Sequence, residues 1–326
     1  MRRNPKLEQA LNDAELERRC LRTSDRNLQR ALAQRHRAGE LLRIMPGLYV
    51  RPSHWGSLGN RERIMHVLRA ECAVHPDWVL AGVSAATVWG LTESTFLNRK
   101  VHWAKDFAHA SADRGHYAFH AMHKDETRKV IVDGLPVTSI HRTMFDCARC
   151  LPLPDALAIL EAALRLGRTV KPRFESYLAG KRGCKGIRSA LIATRYANGL
   201  SENGGEAISL GYLIQWGYEP PRQQVWWTDP VTGQRRRVDF LWFRADGRPI
   251  IGELDGRGKY VDPAMTGGRD IESVVIEEKD RESNLALDGK AIFVRWTFNQ
   301  LIRHPELVRR KLDLAGVPKT SNLANL

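Results

Sequence analysis

Three short β-patterned runs, RQQVWWTD, RRVDFLWF and PIIGELDG, follow one another between residues 222 and 256. Their Val, Ile, Phe and Trp content suits a pleated, half-buried surface. The link RADGR between the second and third runs leaves room only for a reversal, so those two lie antiparallel side by side. A helical run, NGGEAISLGYLIQWG, precedes the strands. A helical run IEEKDRESNLALDG, a strand KAIFVRWT and a helical run NQLIRHPELVRRKLDLAG follow them. Hairpin-linked strands, then a crossover helix and a further strand, predict an α/β sandwich with a mixed sheet over residues 201–315.

Apolar strands usually keep acids at their rims, yet these strands carry Asp239 in RVDF and both Glu253 and Asp255 in GELDG. The hairpin lets Asp239 and Glu253 meet at adjacent strand positions, and Glu253 and Asp255, two residues apart, project to one face. Carboxylates gathered at one site repel unless a proton or cation joins them. A hard divalent cation, Mg²⁺ with Mn²⁺ as the alternative, takes carboxylate oxygens and keeps positions open for water and phosphate. Asp239, Glu253 and Asp255 are therefore the candidate metal ligands. Glu206, on the preceding helix, approaches the same site from the side. Lys279 and Arg281 lie on the helical run after the third strand, where a lysine can stabilise charge developing at an attacked phosphate.

The front of the chain reads differently. Residues 6–50 show two short helical patterns, the first with Leu7, Leu11, Leu16 and Leu21 and the second with Leu28, Leu32 and Leu41 at near-helical spacing. LLRIMPGLYVRP then alternates around a Pro-Gly turn. Helix, helix, hairpin is the winged-helix order, and the second helix carries Arg26, Arg30, Arg35 and Arg37 as a groove-reading helix would. Residues 56–165 mix helices with short strands and include HYAFHAMH, whose histidines have no acid beside them and are expected as polar residues on an exposed strand. The net charge is +14, and residues 166–200 hold eight Lys/Arg against one acid, half of that total. Such surfaces concentrate polyanions, so Lys181, Arg182 and Lys185, with Arg237 and Lys259 near the acids, are candidate phosphate contacts. Trp226, Trp227 and Trp242 are expected in the core ahead of any role in stacking on bases.

No run of apolar residues is long enough for a membrane span, and MRRNPKLEQALNDAE lacks the apolar centre of a signal peptide. The expectation is a soluble cytoplasmic protein without a membrane partner. Five scattered cysteines, including the CxxC of Cys147 and Cys150, fit buried reduced thiols.

Glu206 in GGEA, RVDF at 237–240, GELDGRGKY at 252–260, EEKDRESNL at 277–285 and FVRWTF at 293–298, taken in order, resemble the PD-(D/E)xK nuclease superfamily. More narrowly, they resemble very-short-patch-repair-like endonuclease domains. The resemblance implies a restriction-endonuclease-like fold in which Asp239 and Glu253 hold the metal and Glu206 supports them. The chain departs from that pattern where Asp255 replaces the usual lysine of the third motif. Lys279 is the favoured relocated lysine and Lys259 the alternative. LLRIMPGLYV, VLAGVSAATVWGL and GLPVTSIHRTMFDCARCLPLPDALAILEAAL resemble type IV antitoxins of the abortive-infection class, which implies DNA binding.

The expected organisation is a winged-helix domain over 1–55, an antitoxin-like α+β region over 56–165 and a basic helical linker over 166–200. A nuclease-like domain over 201–315 and a flexible tail over 316–326 complete it. The expected function is a Mg²⁺-dependent DNA endonuclease with catalytic Glu206, Asp239, Glu253, Asp255 and Lys279, acting on DNA alone or as a homodimer. The alternative is an antitoxin-like DNA-binding transcriptional regulator, partnered by a toxin, whose nuclease fold is inactive.

Overall fold

The computed structural model describes residues 4–107, 113–228, 233–255 and 291–320. The chain divides into two compact units, Met1–Cys147 and Ala148–Leu326, each of mixed α and β structure. No helix among the described residues is long and apolar enough to cross a membrane.

In the first unit, α1 (Pro5–Leu16) begins where the Asn4 side chain accepts the Leu7 N–H, with Pro5 in the first turn. Both features satisfy or remove amides that a helix start leaves unpaired. α2 (Arg26–Arg37) is capped by Asp25, which accepts from Asn27 and Leu28. Leu7, Leu11, Leu28 and Leu32 face one another and close a small core with Leu21, Leu41 and Tyr49. An antiparallel hairpin follows, β1 (Leu42–Met45) and β2 (Leu48–Val50). Its turn depends on Gly47, whose φ of 81° is left-handed.

α3 (Pro52–Ser57), α4 (Asn60–Val74) and α5 (Gly82–Val88) come next. β3 (Val101–Asp106) pairs in parallel with β4 (Tyr117–Met122), and β5 (Val130–Val132) pairs antiparallel with β6 (Leu135–Val137). Met65, Leu68, Leu80, Trp103 and Val137 form the second core of this unit. α6 (Ile140–Cys150) follows, and the first unit ends within it at Cys147. His116 and His120 are half-buried rather than exposed: His116 approaches buried Glu71, and His120 meets His102.

The second unit contains α7 (Leu153–Arg165), α8 (Lys171–Ala179), α9 (Ile187–Tyr196) and α10 (Gly204–Gln215). α7 and α10 approach so closely at Gly211 that a Cβ there would stand 2.4 Å from the Pro154 Cα. A sheet follows in the order β10-β9-β8-β7, with β7 (Arg222–Thr228), β8 (Arg235–Phe243), β9 (Pro249–Asp255) and β10 (Ile292–Thr297). β7, β8 and β9 run antiparallel, and β10 is parallel to β9. The mixed sheet expected from the strand pattern is therefore present. Trp296 is buried against α10, its indole N–H donating to Ser209 Oγ at 3.1 Å. Gly252 makes room for this packing, because a Cβ there would lie 2.8 Å from Trp242 and 2.9 Å from Trp296.

Five features differ from the expectations. The boundaries at 165/166 and 200/201 do not separate compact units: α7 packs on α10. The basic segment is no linker, since α8 and α9 bury Phe174, Leu178, Ala190 and Ala193. The C-terminal helical run splits into α11 (Phe298–Arg303) and α12 (Pro305–Ala315), because His304, preceding a proline, leaves the helical region. The tail is tied down as far as Thr320, whose N–H donates to Gly217 O, while Pro318 O accepts from Glu219. Finally, Cys147 is buried but Cys150 is exposed. The helical run IEEKDRESNLALDG lies outside the described residues.

Candidate active site

β8 and β9 are hydrogen-bond partners from Phe240↔Gly252 to Phe243↔Pro249, and the ladder stops there. One residue further on, the same register sets Asp239 opposite Glu253. Here the Asp239 carboxylate takes the place of a backbone partner, its Oδ2 accepting the Leu254 N–H at 2.9 Å. Asp239 is thus held at the point where the two strands part, beside Glu253. The adjacency read from the hairpin is realised by that register.

Glu253 is only 7% exposed, an expensive place for a carboxylate without a partner. Its parallel-strand partner is Arg295 on β10, and an Arg295 Nη2 lies 2.9 Å from Glu253 Oε2. Among the described residues, this guanidinium is the cation paired with Glu253. Lys259 and Lys279 lie outside the described residues. Asp255 is half-buried and pairs across the sheet with Thr297, the residue that caps α11.

Glu206 is brought in by a different device. Asn203 caps α10 through Glu206 N–H, and the Glu206 carboxylate in turn accepts from Glu202 N–H at 2.7 Å, Asn203 Nδ2 at 2.5 Å and Gln224 Nε2 at 2.9 Å. Gln224 has a φ of 52°, so it interrupts the β7–β8 ladder between the pairs Gln223↔Phe240 and Val225↔Val238. A left-handed non-glycine costs of order 1 kcal/mol or more and is held only where its surroundings insist on it. In this register Gln224 stands opposite Asp239, and its amide reaches Glu206. Gly205 completes the approach, since a Cβ there would meet Leu254 Cδ2 at 2.8 Å. Glu206 therefore acts through hydrogen bonds that tie the start of α10 to β7, while Gly205 lets that start close on β9.

A buried carboxylate fixes this helix start. Glu161 on α7, fully buried, accepts the N–H groups of Asn198, Gly199 and Ser201. Gln223 adds bonds to Ser201 Oγ and from Asn198 Nδ2. Neither Glu161 nor Gln224 and Arg295 had been singled out from the sequence. Arg295 lay in the noted run FVRWTF, but nothing local says that its strand sets it beside Glu253.

Among the described residues, no group of three or more His, Cys, Asp or Glu side chains is placed to hold a metal ion. The donor chemistry at Asp239 and Glu253 nevertheless fits Mg²⁺, which is commonly bound through one or two carboxylates with water completing its shell. Among the described residues, two or three acids against one guanidinium also leave negative charge for a divalent cation to balance.

The candidate phosphate contacts are dispersed. Arg26, Arg30 and Arg37 are exposed on α2, whereas Arg35 is turned inward and paired with Glu8 and Glu40. Arg35 thus fastens α2 to α1 through Glu8. Lys181 lies over the Tyr177 ring, and Arg182 and Lys185 are exposed beyond α8. Arg237 is paired with Glu202. Of the tryptophans, Trp242 is in the core and donates to Glu219 O, and Trp227 is half-buried against Val238, Leu241 and Ile251. Trp226 is exposed, against the expectation of core packing.

No family model matches the chain. Two curated relatives from two strains of Mycobacterium tuberculosis, each described as an uncharacterized protein, are 34% identical to it over 114 residues. That match covers 34% of this chain, and the chain spans 41% of the length of each relative.

Proposed function

We propose that the protein is a metal-dependent DNA endonuclease. In this reading the β7–β10 sheet with α10 is restriction-endonuclease-like, and α1, α2 and the β1–β2 hairpin form a winged helix that engages DNA. The observation that carries the reading is the meeting of Asp239 and Glu253 where β8 and β9 part. Glu253 is buried and Asp239 half-buried, and each is oriented by a donor, Arg295 for the first and the Leu254 N–H for the second, where apolar residues would join the strands more cheaply.

Asp239 and Glu253 would hold Mg²⁺, with Asp255 at the rim. When bound, Mg²⁺ lowers the pKa of its water and offsets charge at a phosphodiester. The Leu254 N–H orients Asp239, and Arg295 orients Glu253 and presents a guanidinium to the phosphate. This makes Arg295 the described group best suited to the task that Asp255 cannot perform. Glu206 keeps α10 registered against the site through Gln224.

The test is nicking of supercoiled plasmid by the full chain with Mg²⁺ or Mn²⁺. Nicking should be present in the native protein and fall by at least about 100-fold in Asp239→Ala or Glu253→Ala, the scale of losing a group that stabilises transition-state charge. A chain that binds DNA yet cuts neither DNA nor RNA with either metal refutes the proposal.

One observation favours a second reading, an antitoxin-like DNA-binding regulator with an inactive nuclease fold. Asp255 stands where the motif lysine is expected, and Glu253 is already ion-paired with Arg295. Binding to its own promoter fragment without any cleavage, together with a toxin encoded alongside, would support it.

A further inference from the structure

Trp226 breaks the pattern of its sheet. It is 55% exposed, whereas Trp242 and Trp296 are 3% and 1% exposed. A lone exposed apolar residue means little, but this indole is flanked by two guanidinium groups. Arg235 lies 5.4 Å and Arg237 6.0 Å from its ring centroid. The hairpin register produces the arrangement, pairing Trp226 with Arg237 and Thr228 with Arg235. The platform connects to the acids through explicit contacts: Arg237 pairs with Glu202, whose N–H donates to Glu206, and Gln224, two residues before Trp226, donates to that same carboxylate oxygen.

We infer that Trp226, Arg235 and Arg237 form a stacking platform for an unpaired nucleotide of a DNA strand beside the candidate active site. An indole face accepts any base, and neighbouring guanidinium groups meet the phosphates and add cation–π attraction. Bases in a duplex are already stacked on one another, so an aromatic face on a hairpin gains from DNA only where a base is unpaired. The charge is complementary as well: Arg235 is cationic and exposed, and Arg237, paired with Glu202, keeps much of its side chain exposed. The substrate class for the proposed nuclease is then single-stranded or locally unpaired DNA. The substrate assignment rests on the nuclease reading, while the binding platform does not.

The experiment measures fluorescence anisotropy of a labelled single strand, and of the same strand annealed to its complement, with the full chain in EDTA. W226A should bind the single strand roughly 5- to 150-fold more weakly, the equivalent of one stacked base. W226F should restore most of that affinity, and duplex binding should change by less than about twofold. Arg235→Ala should reduce the salt dependence of single-strand binding by about 0.7 in log–log slope, one phosphate contact. Unchanged single-strand binding by W226A, or an equal loss on duplex, overturns the platform. Neither metal nor cleavage enters the assay, so the two proposals fail separately. Plasmid nicking with an unaffected W226A removes the platform and leaves the enzyme. Loss of single-strand binding in a chain that never cuts removes the enzyme and leaves the platform.

Discussion

Replacing Glu161 by glutamine tests how a residue on α7 holds the start of α10. The carboxylate is fully buried. One oxygen accepts Asn198 N–H at 2.5 Å and Gly199 N–H at 2.9 Å, and the other accepts Ser201 N–H at 2.9 Å. Glutamine fits the space but presents an NH₂ group where one oxygen stood. Its remaining oxygen can serve the Asn198 and Gly199 amides, now without charge assistance, and the Ser201 N–H then faces a donor. A buried donor left unpaired costs about 1–3 kcal/mol, and a hydrogen bond to a charged group contributes about 1.5–3 kcal/mol. The expected loss is about 3 kcal/mol. For a unit of this size each kcal/mol moves Tm by about 2–4 °C, so Tm should fall by about 6–12 °C. Urea denaturation followed by circular dichroism measures the loss directly. Glu175→Gln, at an exposed position of α8, is the control and should change stability by less than about 0.5 kcal/mol. A Glu161→Gln variant as stable as that control would refute the reasoning, because it would mean that the loop 198–201 does not depend on the carboxylate.

Two further outcomes are expected. Gly252→Ala should destabilise by about 1–3 kcal/mol, since the new methyl meets two indole rings that cannot both move; an unchanged urea midpoint would show that the rings do move. His102 is held down to about 4 by burial and secondarily by His120, with Lys100 acting in the same direction and Asp113 opposing. Its folded pKa lies below its ordinary 6.5, so the unfolded chain binds the proton first and stability falls as pH drops from about 6.5 towards 4. Between pH 7 and pH 5 that loss is about 2 kcal/mol, and His102→Gln should flatten the dependence in urea titrations at the two pH values.

Much of the C-terminal architecture is written locally. Runs of β-branched and aromatic residues, a turn too short for anything but reversal, and helical periods on either side determine the order of elements and the antiparallel pair β8–β9. The caps Asn4, Asp25, Asn203 and Thr297 mark their helix starts because capping involves atoms only two or three residues away. Asp239 and Glu253 were legible for the same reason: one hairpin joins them, and its register follows from a short turn.

What lay beyond local reach was decided by tertiary structure. Arg295 reaches Glu253 only because β10 enters parallel to β9 in one particular register, and the two strands are far apart in the sequence. A one-residue slip would have turned its side chain to the opposite face. Gln224 joins the site through a left-handed backbone that no residue preference announces. Glu161 acts on a loop 37–40 residues away, a distance at which sequence pattern carries no signal. Trp226 and Trp242 share a residue type and a strand-like context, but one faces solvent between two arginines and the other lies in the core. Composition determines that such residues are available, and packing determines which of them remain at the surface.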